Sequence, residues 1–271
     1  MAKPYKDDTV IHTEIPTPRK TFYTRFGKRF LDILLSGLAI LVLSPVLIVI
    51  CILELIFHGR PIFYVDKRPG LNGEIFGLYK FRSMTNEKDE NGNLLHPSKR
   101  ITKFGRFLRR TSLDELAGLF NIFNGTLSII GPRPLMKDYL PLYSERHQYR
   151  HAVRPGLACW KLGGTNKLTS SAWTWNAQFE SDIYYVENVS FWLDVKMVFK
   201  TIKVVFSKSE MRTNSDRIKF NGENLLETRS RSEILAAQEA AQKATQESNQ
   251  EVVQEAVQEN AQETTEAPST V

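Results

Sequence analysis

The sequence of 271 residues contains few of the side chains that form disulfides or bind transition metals, with two cysteines and five histidines. Cys51 and Cys159 show neither a disulfide pattern nor the spacing of a zinc site, which indicates a reducing compartment. The histidines, at positions 12, 58, 96, 147 and 151, contain no pair at the helical ligand spacing of a metalloprotease. We therefore interpret them as ordinary surface or core residues, and a disulfide scaffold and a zinc enzyme are both disfavoured.

Acidic side chains are fewer than basic ones outside the C-terminal segment. Residues 231–271 carry two basic and eight acidic side chains, a net charge of −6, and because the whole chain carries +6, residues 1–230 carry +12. A charge of this sign suits nucleic acid, anionic lipid or a phosphorylated substrate equally well, so composition alone does not choose among them. The chain is long enough for one sizeable core, which we interpret as one domain with two tails.

The longest apolar run extends over 28 residues, from Phe30 to Phe57, and contains only Asp32 and Glu54 as charged residues. It is too long and too far from the N-terminus for a signal peptide, so we expect it to stay in the protein. At ~1.5 Å per residue a straight helix of this length measures about 42 Å, against a hydrocarbon core of ~30 Å. The segment must therefore tilt or bend in a membrane, and Ser44-Pro45 at its midpoint predicts a bend.

Basic residues flank this apolar run on both sides. A helix that crosses the membrane would place one basic flank outside, whereas a helix that enters, bends and returns keeps both flanks in the cytoplasm. We therefore predict a re-entrant helix, and an ordinary single-span anchor with a tolerated proline kink is the alternative. The five basic residues on each side are Arg19, Lys20, Arg25, Lys28 and Arg29 before the run, and Arg60, Lys67, Arg68, Lys80 and Arg82 after it.

Two later segments combine apolar periodicity with basic residues. Residues 99–110 and 190–208 each place apolar side chains at helical spacing among lysines or arginines, which is typical of basic amphipathic helices at a membrane interface. The alternative interpretation is that the apolar faces of these two helices pack onto a protein core. In residues 61–84 a Pro-Gly-Leu-Asn-Gly turn separates two apolar runs, which predicts a small β-hairpin.

These features predict an α+β fold that is mainly helical, with a re-entrant membrane helix, basic interfacial amphipathic helices and a small β-hairpin. The predicted organisation is a flexible cytoplasmic tail at 1–27, the re-entrant helix at 28–58, a catalytic domain at 59–208 and a C-terminal extension at 209–271. Glutamine recurs at every fourth position from 238 to 262, so no fixed helical face forms and the extension is low-complexity from about residue 231.

The segment RRTSLDELAGLFNIFNG, residues 109–125, is the most informative stretch for chemistry. Ser112 and Glu115 have the spacing of a capping box, which predicts a helix start. Asp114 then occupies the second helical position, where the helix dipole and the upstream Arg109 favour an ionised carboxylate with a low pKa. Such an aspartate suits either a structural ion pair or covalent attack on a phosphate, and the residues alone leave both possibilities open.

Eight short motifs follow one another along the chain: KRFLD, the Ser44-Pro45 break, RPG at 68–70, YKFRSM at 79–84, SLDEL at 112–116, GPRPL at 131–135, RPG at 154–156 and DIYYVENVSFWLD at 182–194. With these motifs the chain resembles, from residue 28 to about residue 206, the bacterial sugar transferase family, also called the monotopic polyprenyl-phosphate phosphoglycosyl transferases. Any one of these motifs is weak evidence, but eight in order over most of the chain are specific.

The resemblance implies a reaction and roles for individual residues. Asp114 would attack the sugar-bearing phosphate of a UDP-sugar, release UMP and form a phosphosugar-aspartate, which polyprenyl (undecaprenyl) phosphate would then accept. Glu115 would hold Mg²⁺, and both carboxylates would be catalytic. The substrate-binding residues would be Lys80, Arg109, Arg133 and Asp194.

The same resemblance implies a location and partners. We expect the enzyme at the bacterial cytoplasmic (inner) membrane with its active site on the cytoplasmic face, in contact with anionic lipids and with downstream glycosyltransferases. One departure from the family pattern stands at Gly163–Asn166, where the arginine of a Gly-Arg-Asn triplet is missing. This departure motivates the alternative of a non-catalytic membrane scaffold or regulator of glycan assembly. A nucleic-acid binder is disfavoured, because the chain has no recognisable binding motif.

Overall fold

The computed structural model describes residues 10–158, 174–206 and 219–226. The chain divides into two compact units, residues 1–211 with 220–227, and residues 212–219 with 228–271. The second unit lies almost wholly outside the described residues, as do the departure at Gly163–Asn166 and the glutamine-rich segment. The predictions for those two segments therefore stay predictions.

The first unit is mainly helical, with one long N-terminal apolar helix and two small sheets. A π-helical turn at Tyr23–Gly27 precedes the long helix, and the described residues contain 3₁₀ turns at Leu71–Gly73, Leu113–Ala117, Lys137–Leu142 and Tyr149–Ala152. The helices are α1 (Lys28–Phe57), α2 (Pro97–Arg100), α3 (Lys103–Thr111), α4 (Gly118–Asn124), α5 (Glu145–Gln148), α6 (Trp175–Asn188) and α7 (Phe191–Phe206). The strands are β1 (Phe63–Pro69), β2 (Ile75–Phe81), β3 (Ser128–Ile130) and β4 (Gly156–Ala158).

Strands β1 and β2 form the predicted antiparallel hairpin, with Phe63 opposite Phe81 and Pro69 opposite Ile75. The turn contains Asn72 at φ 54°, a left-handed conformation that asparagine tolerates better than most residues. Strands β3 and β4 form a parallel pair. A Cβ on Gly156 would lie 2.0 Å from the backbone nitrogen of Gly131, so the close approach of these two backbone segments requires glycine.

Helix α1 confirms the prediction of a long apolar helix, and it contains Pro45. The Ser44 hydroxyl donates a hydrogen bond of 2.8 Å to the Leu41 carbonyl, the group that a proline at position 45 leaves without its usual donor. Within the described residues, α1 with its preceding turn is the one segment long and apolar enough to cross a membrane. The re-entrant path through a membrane stays a prediction.

One face of α1 packs on the protein, and the other is exposed. The buried residues recur at helical spacing: Asp32, Ser36, Leu47, Ile50 and Glu54. Leu47 and Ile50 form a core cluster with Phe81 of β2 and Leu108 of α3. Residues on the opposite side, such as Leu41 and Val42, are exposed by 71% and 66%. The helix therefore belongs to the core along one side and presents an apolar surface along the other.

The two amphipathic segments differ in how they pack. In α3, Leu108 is fully buried and Phe104 packs in the same cluster, whereas Phe107 is 45% exposed. In α7, Met197 is buried, while Trp192 and Phe199 are exposed by 76% and 68%. The apolar residues of α3 therefore mainly serve the core, and α7 keeps an exposed apolar surface. Binding of either helix to a membrane interface stays a prediction.

The N-terminal tail contacts α6 in its described part. The Arg19 amide donates to the Val186 carbonyl, and the Thr17 amide donates to the Glu187 carboxylate. Two buried ion pairs join α6 to the residues before β4: Arg146 with Glu180 and Arg150 with Asp182, at 2.6 and 2.7 Å. The division into four segments proposed from the sequence stays a prediction.

Candidate active site

Asp114 and Glu115 lie in the first turn of the 3₁₀ segment that leads into α4. Ser112 precedes this segment in a left-handed conformation, φ 56° and ψ 20°, and its side chain forms no capping hydrogen bond. The predicted capping box is therefore wrong, although the helix start is in the predicted place. The left-handed turn places the backbone carbonyl of Ser112, rather than its hydroxyl, as the acceptor for the Glu115 amide at 3.2 Å. It also ends α3 and redirects the chain, so the two carboxylates begin a new helical segment.

Glu115 is paired with two cations. Its Oε1 atom accepts a hydrogen bond of 2.8 Å from Arg133 Nη2, and Lys80 Nζ lies 3.7 Å from the same atom. Burial acts to raise the pKa of Glu115, but Arg133 and Lys80 outweigh it and hold the pKa below its usual range. Glu115 is therefore an ionised carboxylate at neutral pH.

The pKa of Asp114 shifts in the opposite direction, above its ordinary value. Burial raises its pKa, the neighbouring charge of Glu115 raises it further, and Lys80 and Arg109 only partly offset these effects. The predicted low pKa of Asp114 is therefore wrong, because the sequence does not reveal that the carboxylate is half-buried beside a second carboxylate. A raised pKa makes the ionised form more basic and hence a stronger nucleophile.

Strand β2 positions Lys80, and a buried asparagine holds that strand in place. Asn121 of α4 is 1% exposed, accepts a hydrogen bond of 2.8 Å from the Tyr79 amide and donates one of 2.8 Å to the Gly77 carbonyl. The Asn121 side chain thus satisfies two backbone groups of β2 at the edge of the hairpin. Sequence reasoning did not single out Asn121, although a polar residue within the apolar run LFNIF is a usable signal.

Arg109 reaches the site from the last turn of α3. Its Nε donates a hydrogen bond of 2.8 Å to the Ser83 hydroxyl, just beyond β2, and its charge lowers the pKa of Asp114. The structure therefore brings together Lys80, Arg109, Asp114, Glu115 and Arg133, five of the six predicted site residues. Their catalytic and binding roles stay predictions.

Asp194, the sixth predicted residue, is held in a different network. It is 7% exposed, and its carboxylate accepts hydrogen bonds from Tyr185 and Tyr23 at 2.7 Å and from Lys28 at 2.6 Å. Lys28 opens α1 and Tyr23 lies in the preceding turn, so Asp194 joins the start of the apolar helix to α6 and α7. These contacts satisfy both carboxylate oxygens.

A cavity lies beside the paired carboxylate of Glu115. The cavity has an apolar part and a cationic part. Arg68 lines the cationic part, although it is not among the site residues predicted from the sequence. The residues that give these two parts their character are Leu78, Leu127 and Leu157 on the apolar side, and Arg68, Lys80 and Arg133 on the cationic side. Three cations around one cavity favour a ligand with more than one negative charge.

Asp114 and Glu115 are the candidate ligands of a magnesium ion. Across the described ranges no group of three or more His, Cys, Asp or Glu side chains could hold a metal ion. Mg²⁺, however, is usually held by one or two carboxylates together with substrate phosphates and water. The charge of Glu115 raises the pKa of Asp114, so the two carboxylates lie close enough to repel each other, and a divalent cation would relieve this repulsion. The residues therefore fit a magnesium ion that binds with a phosphorylated substrate.

Fold and site together define a class: a mainly helical protein with a long apolar helix that is exposed along one face, a cavity lined by three cations and two adjacent carboxylates. The model of the bacterial sugar transferase family matches residues 23–208, well over half of the chain and all of the elements described above from the π-helical turn to α7. The chain belongs to the bacterial sugar transferase family.

Several curated proteins are similar to the chain. A sugar transferase of Bacillus subtilis named EpsL, described as uncharacterized, is 48% identical over 158 residues, which cover 58% of this chain and 76% of that protein. An Aeromonas hydrophila enzyme named UDP-N-acetylgalactosamine-undecaprenyl-phosphate N-acetylgalactosaminephosphotransferase is 33% identical over 67% of this chain and 44% of its own. An undecaprenyl-phosphate galactose phosphotransferase of Salmonella typhimurium is 34% identical over 68% of this chain and 41% of its own. The chain thus spans less than half the length of the last two.

Proposed function

We propose that the chain transfers a sugar 1-phosphate from a UDP-sugar to polyprenyl phosphate and releases UMP, the initiating step of membrane-bound glycan assembly. The observation that carries this proposal is the Asp114–Glu115 pair surrounded by Lys80, Arg109 and Arg133, since a nucleophile beside several cations suits attack on a diphosphate. The names of the Aeromonas and Salmonella relatives, which specify undecaprenyl phosphate, support the substrate class.

The reaction proceeds in two displacements at one phosphorus atom. A carboxylate oxygen of Asp114 attacks the phosphate that bears the sugar, a new P–O bond forms, and the P–O bond to UMP breaks so that UMP leaves with the bonding electron pair. A phosphate oxygen of polyprenyl phosphate then attacks the same phosphorus and displaces the Asp114 carboxylate. The lipid keeps a diphosphate bridge to the sugar, and the enzyme returns to its starting form.

The cations of the site bind the substrate charges. Lys80 and Arg133 are partners of Glu115 in the resting protein, and both can transfer a hydrogen bond to an incoming phosphate. Glu115 would hold Mg²⁺, which supplies positive charge to the diphosphate oxygens and to the leaving phosphate. Arg109 lowers the pKa of Asp114 and so favours the ionised nucleophile.

The exposed apolar surfaces support a membrane location for this chemistry. A polyprenyl chain does not leave the bilayer at low cost, so its phosphate must be met at the headgroup level. Helix α1 exposes an apolar face of 30 residues' length, and α7 exposes Trp192 and Phe199 beside basic residues. We infer that both basic flanks of α1 lie at the cytoplasmic face of the inner membrane, where anionic lipids attract them.

The test uses purified full-length protein in detergent, a panel of UDP-sugars labelled in the sugar phosphate, and the variant Asp114→Asn. With donor alone, the wild type should release about one UMP per protein and become labelled, and added polyprenyl phosphate should discharge the label into lipid. Asp114→Asn should fold and release no UMP, because it lacks the nucleophilic charge. Asp138→Asn is a matched control, since Asp138 lies in the first turn of another 3₁₀ segment and is exposed.

The outcomes separate the parts of the proposal. Substantial transfer by Asp114→Asn, or UMP release only when both substrates are present, contradicts a covalent intermediate on Asp114. Removal of Mg²⁺ with a chelator should stop UMP release, and full activity in its absence contradicts the magnesium assignment. If no UDP-sugar yields UMP under any condition, the alternative of a non-catalytic scaffold or regulator is favoured.

A further inference from the structure

Arg68 lines the same cavity as Lys80, Glu115 and Arg133 but lies on a different strand from Lys80. Its guanidinium is held in place by neighbours. Nε and Nη2 donate to Asp66 Oδ2 at 2.9 and 2.6 Å, and Nη1 lies 3.4 Å from the Pro134 carbonyl oxygen. A guanidinium has five N–H donors, so these three contacts leave donors for a ligand in the cavity.

The cations of the cavity have an order relative to the carboxylates. Lys80 influences the pKa values of both Asp114 and Glu115, whereas Arg133 influences that of Glu115. Among the described residues, Arg68 is not one of the cations that shift the pKa of Asp114 or of Glu115. Its guanidinium contacts the carbonyl oxygen of Pro134, the residue after Arg133. In the hairpin, Lys80 lies opposite Tyr64, whereas Arg68 lies opposite Phe76, four residues further along the strand pair. Lys80 therefore lines the cavity near the carboxylates whose pKa values it lowers, and Arg68 lines it from a position further along the hairpin.

We propose that Arg68 binds the second phosphate of the donor diphosphate, the one that leaves with the nucleoside, and that Asp66 is its positioning residue. This inference rests on the proposed function. With the sugar-bearing phosphate beside Asp114 and Lys80, the neighbouring phosphate of the same diphosphate extends toward Arg133 and Arg68. The planar guanidinium matches the oxygens of a phosphate, and Asp66 orients it without occupying all of its donors.

A purely structural ion pair is the competing explanation, and the two make different predictions. The side chains of Arg68 and Asp66 are 20% and 19% exposed, so the pair is mostly covered by protein and either explanation is compatible with its burial. A structural pair would be impaired equally by loss of either partner. A phosphate-binding arginine is impaired by loss of Arg68, whereas loss of Asp66 leaves the positive charge in the cavity.

The experiment measures binding of inorganic pyrophosphate and inorganic phosphate to full-length protein by calorimetry, in a chelator so that only protein contacts contribute. The wild type should bind pyrophosphate more tightly than phosphate. Arg68→Gln should weaken pyrophosphate binding by about tenfold to hundredfold, the range for a hydrogen bond to a charged group, and should leave phosphate binding within about threefold. Lys67→Gln removes the same charge from the next position of β1, whose side chain points to the opposite face.

Several results would overturn the inference: equal affinity of the wild type for the two anions, binding of neither anion, or Arg68→Gln indistinguishable from Lys67→Gln. Asp66→Asn keeps an acceptor oxygen that can still orient the guanidinium, so it should weaken pyrophosphate binding clearly less than Arg68→Gln does, and a loss as large as that of Arg68→Gln would show a structural pair instead. UMP release by the wild type is measured in parallel. A selective loss in Arg68→Gln without any UMP release contradicts the proposed transfer reaction and leaves the diphosphate site standing.

Discussion

At the scale of single residues, the chemistry of Asp114 depends on neighbours that its sequence position only partly reveals. Its place at a helix start and its proximity to Arg109 were predictable from the segment 109–125. Its half-buried environment and the opposing effect of Glu115 were not, because burial depends on how β2 and α3 close over the turn. The sequence therefore located the carboxylate correctly but gave the wrong direction for its pKa.

The raised pKa of Asp114 makes a prediction about pH. Transfer requires the ionised carboxylate, so kcat/KM should fall as pH is lowered and the aspartate becomes protonated, with a midpoint above the ordinary value of about 3.9. Arg109→Gln should move this midpoint to higher pH, because Arg109 lowers the pKa of Asp114. The measurement is the pH profile of UMP release at low donor concentration.

The control for this profile is Arg110→Gln, which removes an exposed arginine from the neighbouring position of α3 and should leave the midpoint unchanged. A midpoint at or below about 3.9 in the wild type, or the same midpoint in Arg109→Gln, would show that the acid limb does not report on Asp114.

At the scale of elements, local signals were sufficient where an element is specified by its own residues. The hairpin was predictable from its Pro-Gly-Leu-Asn-Gly turn, and α1 from its apolar run. The network of Asp194 was not predictable, because Tyr23 and Lys28 lie 171 and 166 residues away in the chain. The side chain of Arg68 could be placed in the cavity only once the pairing of β1 with β2 was known.

Helix α3 depends on close contact with the segment after β2, and Gly105 makes this contact possible. A Cβ at Gly105 would lie 2.0 Å from the Ser83 carbonyl oxygen, a backbone atom that cannot move independently. We expect Gly105→Ala to lower the free energy of unfolding by about 1–3 kcal/mol and to weaken UMP release, because Ser83 also holds Arg109. Thermal unfolding in detergent checks the first effect and the UMP assay the second.

Arg106→Ala is the control on the same helix, since Arg106 is exposed and alanine is a good helix former. The free energy of unfolding of Arg106→Ala should lie within about 0.5 kcal/mol of the wild-type value. Wild-type stability in Gly105→Ala would show that α3 shifts away from Ser83 at no cost, and the close contact would then have no structural importance.

At the scale of the whole molecule, α1 is joined to the rest of the protein at both ends. Near its start, Asp32 accepts a hydrogen bond from the Ile129 amide at 3.1 Å, and Arg29 donates to the Ile122 carbonyl at 2.6 Å. At its end, His58 bridges Glu54 and Thr102 at 2.9 and 2.8 Å. An anchor that leaves the domain at one end would be joined to it only there. The contacts of α1 at both ends therefore show a helix that packs on the domain along its length.

This arrangement predicts that one face of α1 contributes to folding stability and the other does not. Ile50 is 4% exposed and packs with residues of β2 and α3, so Ile50→Ala should lower the free energy of unfolding by about 2–5 kcal/mol. Ile48 lies on the same helix but is 58% exposed, and Ile48→Ala should change the free energy of unfolding by less than about 0.5 kcal/mol. Both values come from thermal or denaturant unfolding in one detergent, followed by tryptophan fluorescence.

The comparison is decisive because the two substitutions remove the same atoms from the same helix. An independent membrane anchor would give equally small effects for Ile50→Ala and Ile48→Ala, since neither side chain would contact the domain. A large effect confined to Ile50→Ala means that deletion of α1 would remove part of the core together with the anchor. The cavity that contains Lys80 and Glu115 would then depend on the apolar helix, since Phe81 of the same strand packs against Ile50 in that core.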